Sequence, residues 1–515
     1  MEGAAAHTDI EKRWESEKQE IIGESEARSN QESQPKLDKH GFPLRPQPTD
    51  SPLDPLNWNR WIKLLVLLQV SFLGFLGPFS QGAIESPVDR VWKNSAYRPL
   101  SQFMGITITE ASYNTTLAIV LAGVAPLFYS PLANIYGRRP VYIFSCIIGI
   151  VAGARSAIST HWKNLLVARV FVGVGTSAGM GIGASVVSDM YFMHERGKYM
   201  GIYVIFTTNG AHIAVLVGGF VAKDVGWRWC YWVPCIALGI TWVLNLFLLP
   251  ETIFHRDVDH RDQVAGDTQM NLRSWIRLLR PWPKSVKRHL RLWDLTHCFI
   301  MLKYPSVLLT TIYYSYAFGI GTVLFAVTGS ASFSAIYGFD TAQVGLAIGV
   351  PTTIGSIIGE LAAGPVSDLL LLWSNRRHNG ESPPETRLHV MWPGLILLPA
   401  GVIIEEVCFQ HRTHWMGPVM GMGIGCFGLQ IISTNIFAYL ADRYRPQSAE
   451  ISTLLNFGRL TFSFTLGFYM LPFAHATSYG TAWIIMAVIS VGLYAGIVGR
   501  SEVIARLILP VVPAA

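Results

Sequence analysis

Charge is scarce in this chain. Only 14% of its 515 residues are Asp, Glu, Lys or Arg, and half are hydrophobic. A soluble protein carries about 25% charged residues, so a water-exposed globular fold is excluded. Cysteine is sparse as well. Cys146, Cys230, Cys235, Cys298, Cys408 and Cys426 form no Cys-x-x-Cys pair and no Cys/His metal spacing, and most fall in apolar runs as single thiols. The chain has no Walker loop and no HExxH, which leaves no ATP-driven or zinc-hydrolase reading. Gly173-Val174-Gly175 lies in an apolar run with no strand before it, so it is not a dinucleotide loop. The net charge of +6 comes from short scattered clusters, and without a contiguous basic face nucleic acid is not an expected partner. We expect no enzyme, no cofactor and no metal.

A cleavable signal peptide is missing too. Residues 1–57 are polar and mixed in charge, with no apolar core and cleavage site, and read as a disordered cytosolic tail.

Long apolar runs are what the chain does have. A membrane-spanning helix needs about 20 largely apolar residues. Twelve stretches qualify, at 61–83, 112–133, 141–159, 164–187, 200–222, 229–249, 304–328, 342–367, 388–408, 414–437, 450–473 and 479–499. The weakest is 414–437, which is rich in glycine and holds Gln430 and Asn435. The expected fold is an all-α membrane protein with two six-helix bundles, 58–250 and 303–500. A cytosolic central loop, 251–302, joins them, and a tail, 501–515, follows. That loop concentrates Arg273, Arg277, Arg280, Lys284, Lys287, Arg288 and Arg291, which places it and both termini in the cytosol. Within it Leu272, Trp275, Ile276 and Leu279 share one helical face. This suits a helix lying on the anionic inner leaflet, with a calmodulin-target helix as the alternative. The sequon Asn114-Thr115-Thr116 falls at the outer start of the second span. It is a candidate glycosylation site, opposed by its closeness to the membrane.

One pattern occurs twice. Ser130-Pro131-Leu132-Ala133-Asn134 precedes Gly137-Arg138-Arg139, and Gly364-Pro365-Val366-Ser367-Asp368 precedes Arg376-Arg377. Each copy closes the second span of its half. Two parallel six-helix repeats with a substrate between them describe one class of secondary transporter.

Over roughly residues 58–500 the chain resembles the major facilitator superfamily. Leu132, Gly137, Arg138 and Arg139 match its loop between helices 2 and 3, with Asn134 where the family has Asp. Arg169 with Gly173, and Asp189 with Glu195-Arg196-Gly197, match its helix 4. Asp54-Pro55-Leu56-Asn57-Trp58-Asn59, Gly226-Trp227-Arg228-Trp229, Pro250-Glu251-Thr252, Tyr439-Leu440-Ala441-Asp442 and Asn456-Phe457-Gly458-Arg459 look most like the fungal twelve-span drug:proton antiporters. The antiporter glycines of helix 5 stand at Gly201, Gly210, Gly218 and Gly219, but its Gly-Pro is Ala214-Val215.

The resemblance implies a conformational latch of Asn134, Gly137, Arg138, Arg139, Asp189, Glu195 and Arg196, repeated at Asp368, Arg376 and Arg377. A charge at the bilayer centre costs about 2.5–3.5 kcal/mol on insertion scales, so embedded ionisable groups need a reason. Arg169, Glu360, Arg459 and His212 are the proton-coupling candidates, each with a structural alternative. Glu360 and Arg459 lie at similar depth and could pair. Glu85, Glu110, Glu405 and Glu406 read as hydrated rim charges. Candidate substrate contacts are Gln69, Asn209, Tyr313, Tyr316, Gln430 and Asn435. The expected function is proton-coupled efflux of a toxin, drug or secondary metabolite by a monomer, with the small organic substrate, protons and the plasma-membrane bilayer as partners. Uptake of a small polar or cationic nutrient is the alternative, and a transport-dead receptor or scaffold the reading from a different class.

Overall fold

Helix follows helix along the computed structural model, which describes residues 47–49, 51, 53–83, 100, 103–106, 108–254, 278–279, 296, 298–377, 388, 390–444, 448–477 and 481–494, with no strand among them. In chain order the long helices are α1 (Arg60–Gly82), α2 (Ile108–Tyr136), α3 (Arg138–Ile158), α4 (Trp162–Met190), α5 (Met193–Asp224) and α6 (Trp229–Leu248). The second series is α7 (305–337), α8 (Thr341–Arg377), α9 (Trp392–Gln410), α10 (Met416–Arg443), α11 (Ser448–Thr477) and α12 (Thr481–Tyr494). Ten are long and apolar enough to cross a bilayer, and α12 is a shorter apolar helix among the described residues. Each expected run carries a helix, with α7 and α8 continuing nine and ten residues past the expected ends. The central-loop helix around Trp275 falls outside the described residues.

Local chemistry sets the helix ends. The Asp54 carboxylate accepts from the Leu56 and Thr49 amides at 3.1 Å, folding the entry segment onto α1. Asn59 caps α1 through Trp61 N–H at 3.2 Å. Gly137, at φ +105°, makes the turn between α2 and α3, a conformation that side-chain-bearing residues avoid.

Two interruptions were not evident from hydropathy. α4 breaks at Ser177 between Trp162–Thr176 and Ala178–Met190. α7 widens to π-helical turns over Gly319–Gly329. Such irregular turns occur often at functional sites. α5, by contrast, runs unbroken and lacks an internal proline, as Ala214-Val215 leads one to expect.

Among the described residues two large apolar cores stand out beside two smaller clusters. One is built from residues between Trp58 and Leu249, the other from residues between Met301 and Tyr494. They meet where α5 lies on α8 and where α2 and the second part of α4 lie on α11. Small residues allow the approach: a Cβ on Gly219 would sit 2.7 Å from the Thr341 carbonyl, and one on Gly345 2.9 Å from the Val215 carbonyl.

Candidate functional site: a central cavity between the halves

α1, α2, α5, α7, α8 and α11 line a cavity of about 60 Å³. Phe318, Phe325, Val215 and Ile348 supply apolar walls. Gln81, His212, Thr322, Arg459 and Ser463 also line it. Each of those five carries a buried polar atom with no hydrogen-bond partner: Gln81 Nε2, His212 Nε2, Thr322 Oγ1, Arg459 Nε and Ser463 Oγ. Leaving such a group unmade costs about 1–3 kcal/mol, so five around one space mark a place prepared for a polar guest. Thr322 reaches it from the widened turns of α7.

The groups around the cavity are held from behind. Arg459 is 3% exposed. Its Nη1 donates to Tyr314 Oη at 3.2 Å, its Nη2 lies 4.0 Å from Met180 Sδ, and the guanidinium stacks 4.6 Å from the Phe318 ring centre. Ser356 Oγ donates to the Thr352 carbonyl at 2.7 Å and lies 3.2 Å from His212 Nδ1. The serine oxygen therefore receives Nδ1–H, which leaves an unpartnered acceptor at Nε2 of His212, a residue that lines the cavity. Asn456 Nδ2 donates to the Met180 carbonyl at 2.9 Å, a bond that crosses between the halves.

Glu360 lies apart from Arg459, and the expected pair is not made. Its carboxylate accepts from Gln430 Nε2 at 2.7 Å and from Thr434 Oγ1. A Cβ on Gly201 of α5 would stand 2.5 Å from its Oε1. The acid on α8 thus rests directly against the first half, in space a missing side chain leaves open.

Arg169 is a clamp of another kind. Nη1 donates to the Ser80 carbonyl at 3.0 Å, Nη2 to the Gln81 carbonyl at 3.2 Å and Nε to the Asn114 carbonyl at 3.3 Å. Its guanidinium lies 5.4 Å from the Tyr231 ring centre. It ties α1, α2, α4 and α6 together.

The other expected substrate contacts lie away from the cavity. Tyr316 donates to the Met486 carbonyl at 2.8 Å and Tyr313 packs on Tyr494 at 5.6 Å, so both brace α12. Asn209 and Asn435 donate to the Ile205 and Ile431 carbonyls of their own helices, leaving buried oxygens unpartnered. Gln69 has both amide atoms buried without a partner. Gln430 serves Glu360.

Asn114 also departs from expectation. Its side chain is 0% exposed and donates to Tyr231 Oη at 3.0 Å, so the folded protein has no room for a glycan there. Glu405 and Glu406 are buried rather than hydrated, while Glu110 is exposed. Glu85 lies outside the described residues.

At the Gly137 turn, Arg138 Nη1 stands 2.7 Å from Asp189 Oδ2. The anchor that sequence reading missed is Glu251. Its carboxylate accepts from the Arg138 and Arg139 amides at 3.1 Å each, capping the N-terminus of α3, and from the Thr252 and Ile253 amides. Arg139 donates to the Leu246 carbonyl at 2.7 Å and to that of Leu279. Arg196 donates to the Ser188 carbonyl at 3.0 Å, and Asn134 and Glu195 are exposed. In the second copy the backbone of Asp368, Arg376 and Arg377 is helical, and their side chains lie outside the described residues.

A larger apolar groove, about 740 Å³, lies between α8, α9 and α10. Among the described residues it carries no charged side chain, and Ile354, Ile358 and Met420 in it are exposed, as lipid-facing residues are.

Helical halves meeting around a buried, polar-lined cavity define a multi-pass membrane carrier. The model of the Major Facilitator Superfamily matches residues 70–463, and the chain belongs to that family. It is similar to the MFS transporter cpaT of Aspergillus oryzae, 29% identical over 78% of this chain and 79% of the relative. It is also similar to the MFS-type transporter penM of Penicillium rubens, at 28% over 78% and 77%. A third relative, Protein HOL1 of Saccharomyces cerevisiae, is 24% identical over 90% of both chains. The protein is accordingly a membrane transporter of small molecules and not an enzyme.

Proposed function

We propose that the protein is a proton-coupled secondary exporter in the plasma membrane, with both termini cytosolic, which moves a small organic molecule by rocking its halves about the central cavity. The observation that carries this reading is that five residues lining a space bounded by both halves each carry an unpartnered buried polar atom. Glu360 is the proposed proton carrier. It is a membrane-embedded carboxylate lying between two neutral partners on α10 and the bare backbone of Gly201 on α5. Whether it is charged thus bears directly on the fit of the halves. The Gly137 turn, with Arg138, Asp189 and Glu251, is the proposed cytosolic latch. The test is flux in sealed vesicles with an imposed pH gradient, using organic anions, neutral molecules and cations as cargo. Accumulation opposite to proton flow supports antiport. Transport indifferent to the gradient overturns proton coupling.

A further inference from the structure

We propose that the cavity takes an organic carboxylate, an apolar body bearing one carboxyl group, which Arg459 grips through the Nε and Nη2 edge of its guanidinium. The proposal rests on reading the cavity as the substrate site.

The argument starts from charge. Arg459 is buried among neutral partners: a tyrosine hydroxyl, a phenylalanine face and a thioether. No carboxylate among the described residues lies within ion-pair distance of it. A cation taken from water without an anion is costly. Arg169 shows how the same protein settles a structural arginine, by spending its donors on three carbonyls. Arg459 keeps Nε unpartnered at the cavity and holds Nη2 only against sulfur, a weak acceptor. Those two nitrogens form one edge of the planar fork, the side-on geometry that receives a carboxylate with two hydrogen bonds.

The rest of the lining agrees. Gln81 Nε2 is a donor, and the free hydroxyls of Thr322 and Ser463 can donate. His212, whose ring proton is on Nδ1 toward Ser356, leaves an acceptor at Nε2 and adds no donor for the carboxylate. No acid among the described residues lines the cavity, so a cationic guest would meet a cation and no compensating anion there. This weighs against the nutrient-cation alternative. Phe318, Phe325, Val215, Ile348 and Leu460 offer the apolar body its contact.

The experiment uses the purified full-length protein and three probes of matched shape: benzoate, benzamide and benzylamine, at constant ionic strength. Octanoate, octanamide and octylamine form a second set. Binding is read by thermal unfolding and by counterflow in proteoliposomes. The expected result is a rise in Tm and counterflow with the carboxylates, and little or none with the amides and amines. Losing charge-assisted hydrogen bonds costs about 10- to 100-fold in affinity, so Arg459→Gln should weaken carboxylate binding by that factor. Arg459→Lys should retain part of it. If Arg459→Gln does not fold, Thr322→Val and Ser463→Ala should each weaken carboxylate binding, and the wild-type ranking of the three probe charges still decides. Preference for amides or amines, no carboxylate binding, or carboxylate binding unchanged by Arg459→Gln overturns the assignment while leaving transport itself standing. Failure of every charge class to move across vesicles under a pH gradient would instead count against the transport reading.

Discussion

Lys223 Nζ, in the last turn of α5, lies 2.7 Å from Oδ2 of Asp340, the residue that precedes α8. Asp340 Oδ1 also accepts from the Gln343 amide at 2.9 Å, and Gln343 Oε1 accepts from the Asp340 amide at 2.9 Å. This reciprocal cap fixes the carboxylate at the helix start. One ion pair thereby joins the two halves at the end of the molecule remote from the Gly137 turn.

That clasp should hold the remote end shut. Exposed pairs contribute about 0.2–1 kcal/mol, so Asp340→Asn should shift the closed-to-open ratio a few-fold toward open. Spin labels at Val225 and Leu346 would read this as a longer distance population. The hydrogen bond from Lys223 holds the Asp340 carboxyl below the ordinary aspartate range. A lowered value means the contribution is present above the ordinary aspartate range and is lost as pH falls through the lowered one. The label distance should therefore not change between pH 7 and pH 6 and should lengthen only in strong acid. Lengthening near pH 6 would assign the response to another group.

Glu360→Gln should abolish gradient-driven transport while keeping folding within about 1 kcal/mol, because the amide can still bond Gln430 or Thr434. Gly201→Ala tests the same site from the other half. Its Cβ would come 2.5 Å from Glu360 Oε1, displacing the carboxylate. It should impair coupling in the same way, measured as proton-driven flux against exchange without a gradient. Full coupling in both variants would remove Glu360 from the mechanism.

Hydropathy located the helices well. In α1 to α10 the need for about 20 apolar residues dominates every other signal. The break at Ser177 and the wide turns of α7 were not legible, because both are set by packing across helices rather than by local composition. His212 and Arg459 stood out as ionisable groups in apolar runs and do line the cavity. Gln81, Thr322 and Ser463 were missed, since one polar residue in an apolar helix looks the same whichever way it faces. Tyr313 and Tyr316 were misplaced for that reason: the face that meets α12 cannot be told from the face that meets the other half. Glu251 had a visible pattern, Pro-Glu-Thr after α6, but its partners lie more than a hundred positions earlier, at Arg138 and Arg139.

Glu251→Ala should destabilise the protein by about 0.5–2 kcal/mol, the range for losing a helix N-terminal cap. Thermal unfolding of the purified protein measures this. Glu251→Gln, which keeps an acceptor oxygen but no charge, should fall between. An unchanged Tm for Glu251→Ala would show that the α3 amides find other acceptors.

Asn114 should carry no glycan. Treatment with an N-glycosidase should leave the electrophoretic mobility of protein from a glycosylating host unchanged. Asn114→Leu should cost about 1 kcal/mol through the lost bond to Tyr231. A mobility shift that Asn114→Gln removes would contradict the buried placement.

The central claim is that the cavity opens to one side at a time. Ala326 lines it and can report access without touching the polar groups. Ala326→Cys, in a background with the six native cysteines replaced, should react with a membrane-impermeant thiol reagent from either face of oriented vesicles. Transported cargo together with a pH gradient should shift that reactivity from one face toward the other. Reactivity from neither face, or from both at rates that cargo and gradient leave unchanged, would contradict alternating access around this cavity.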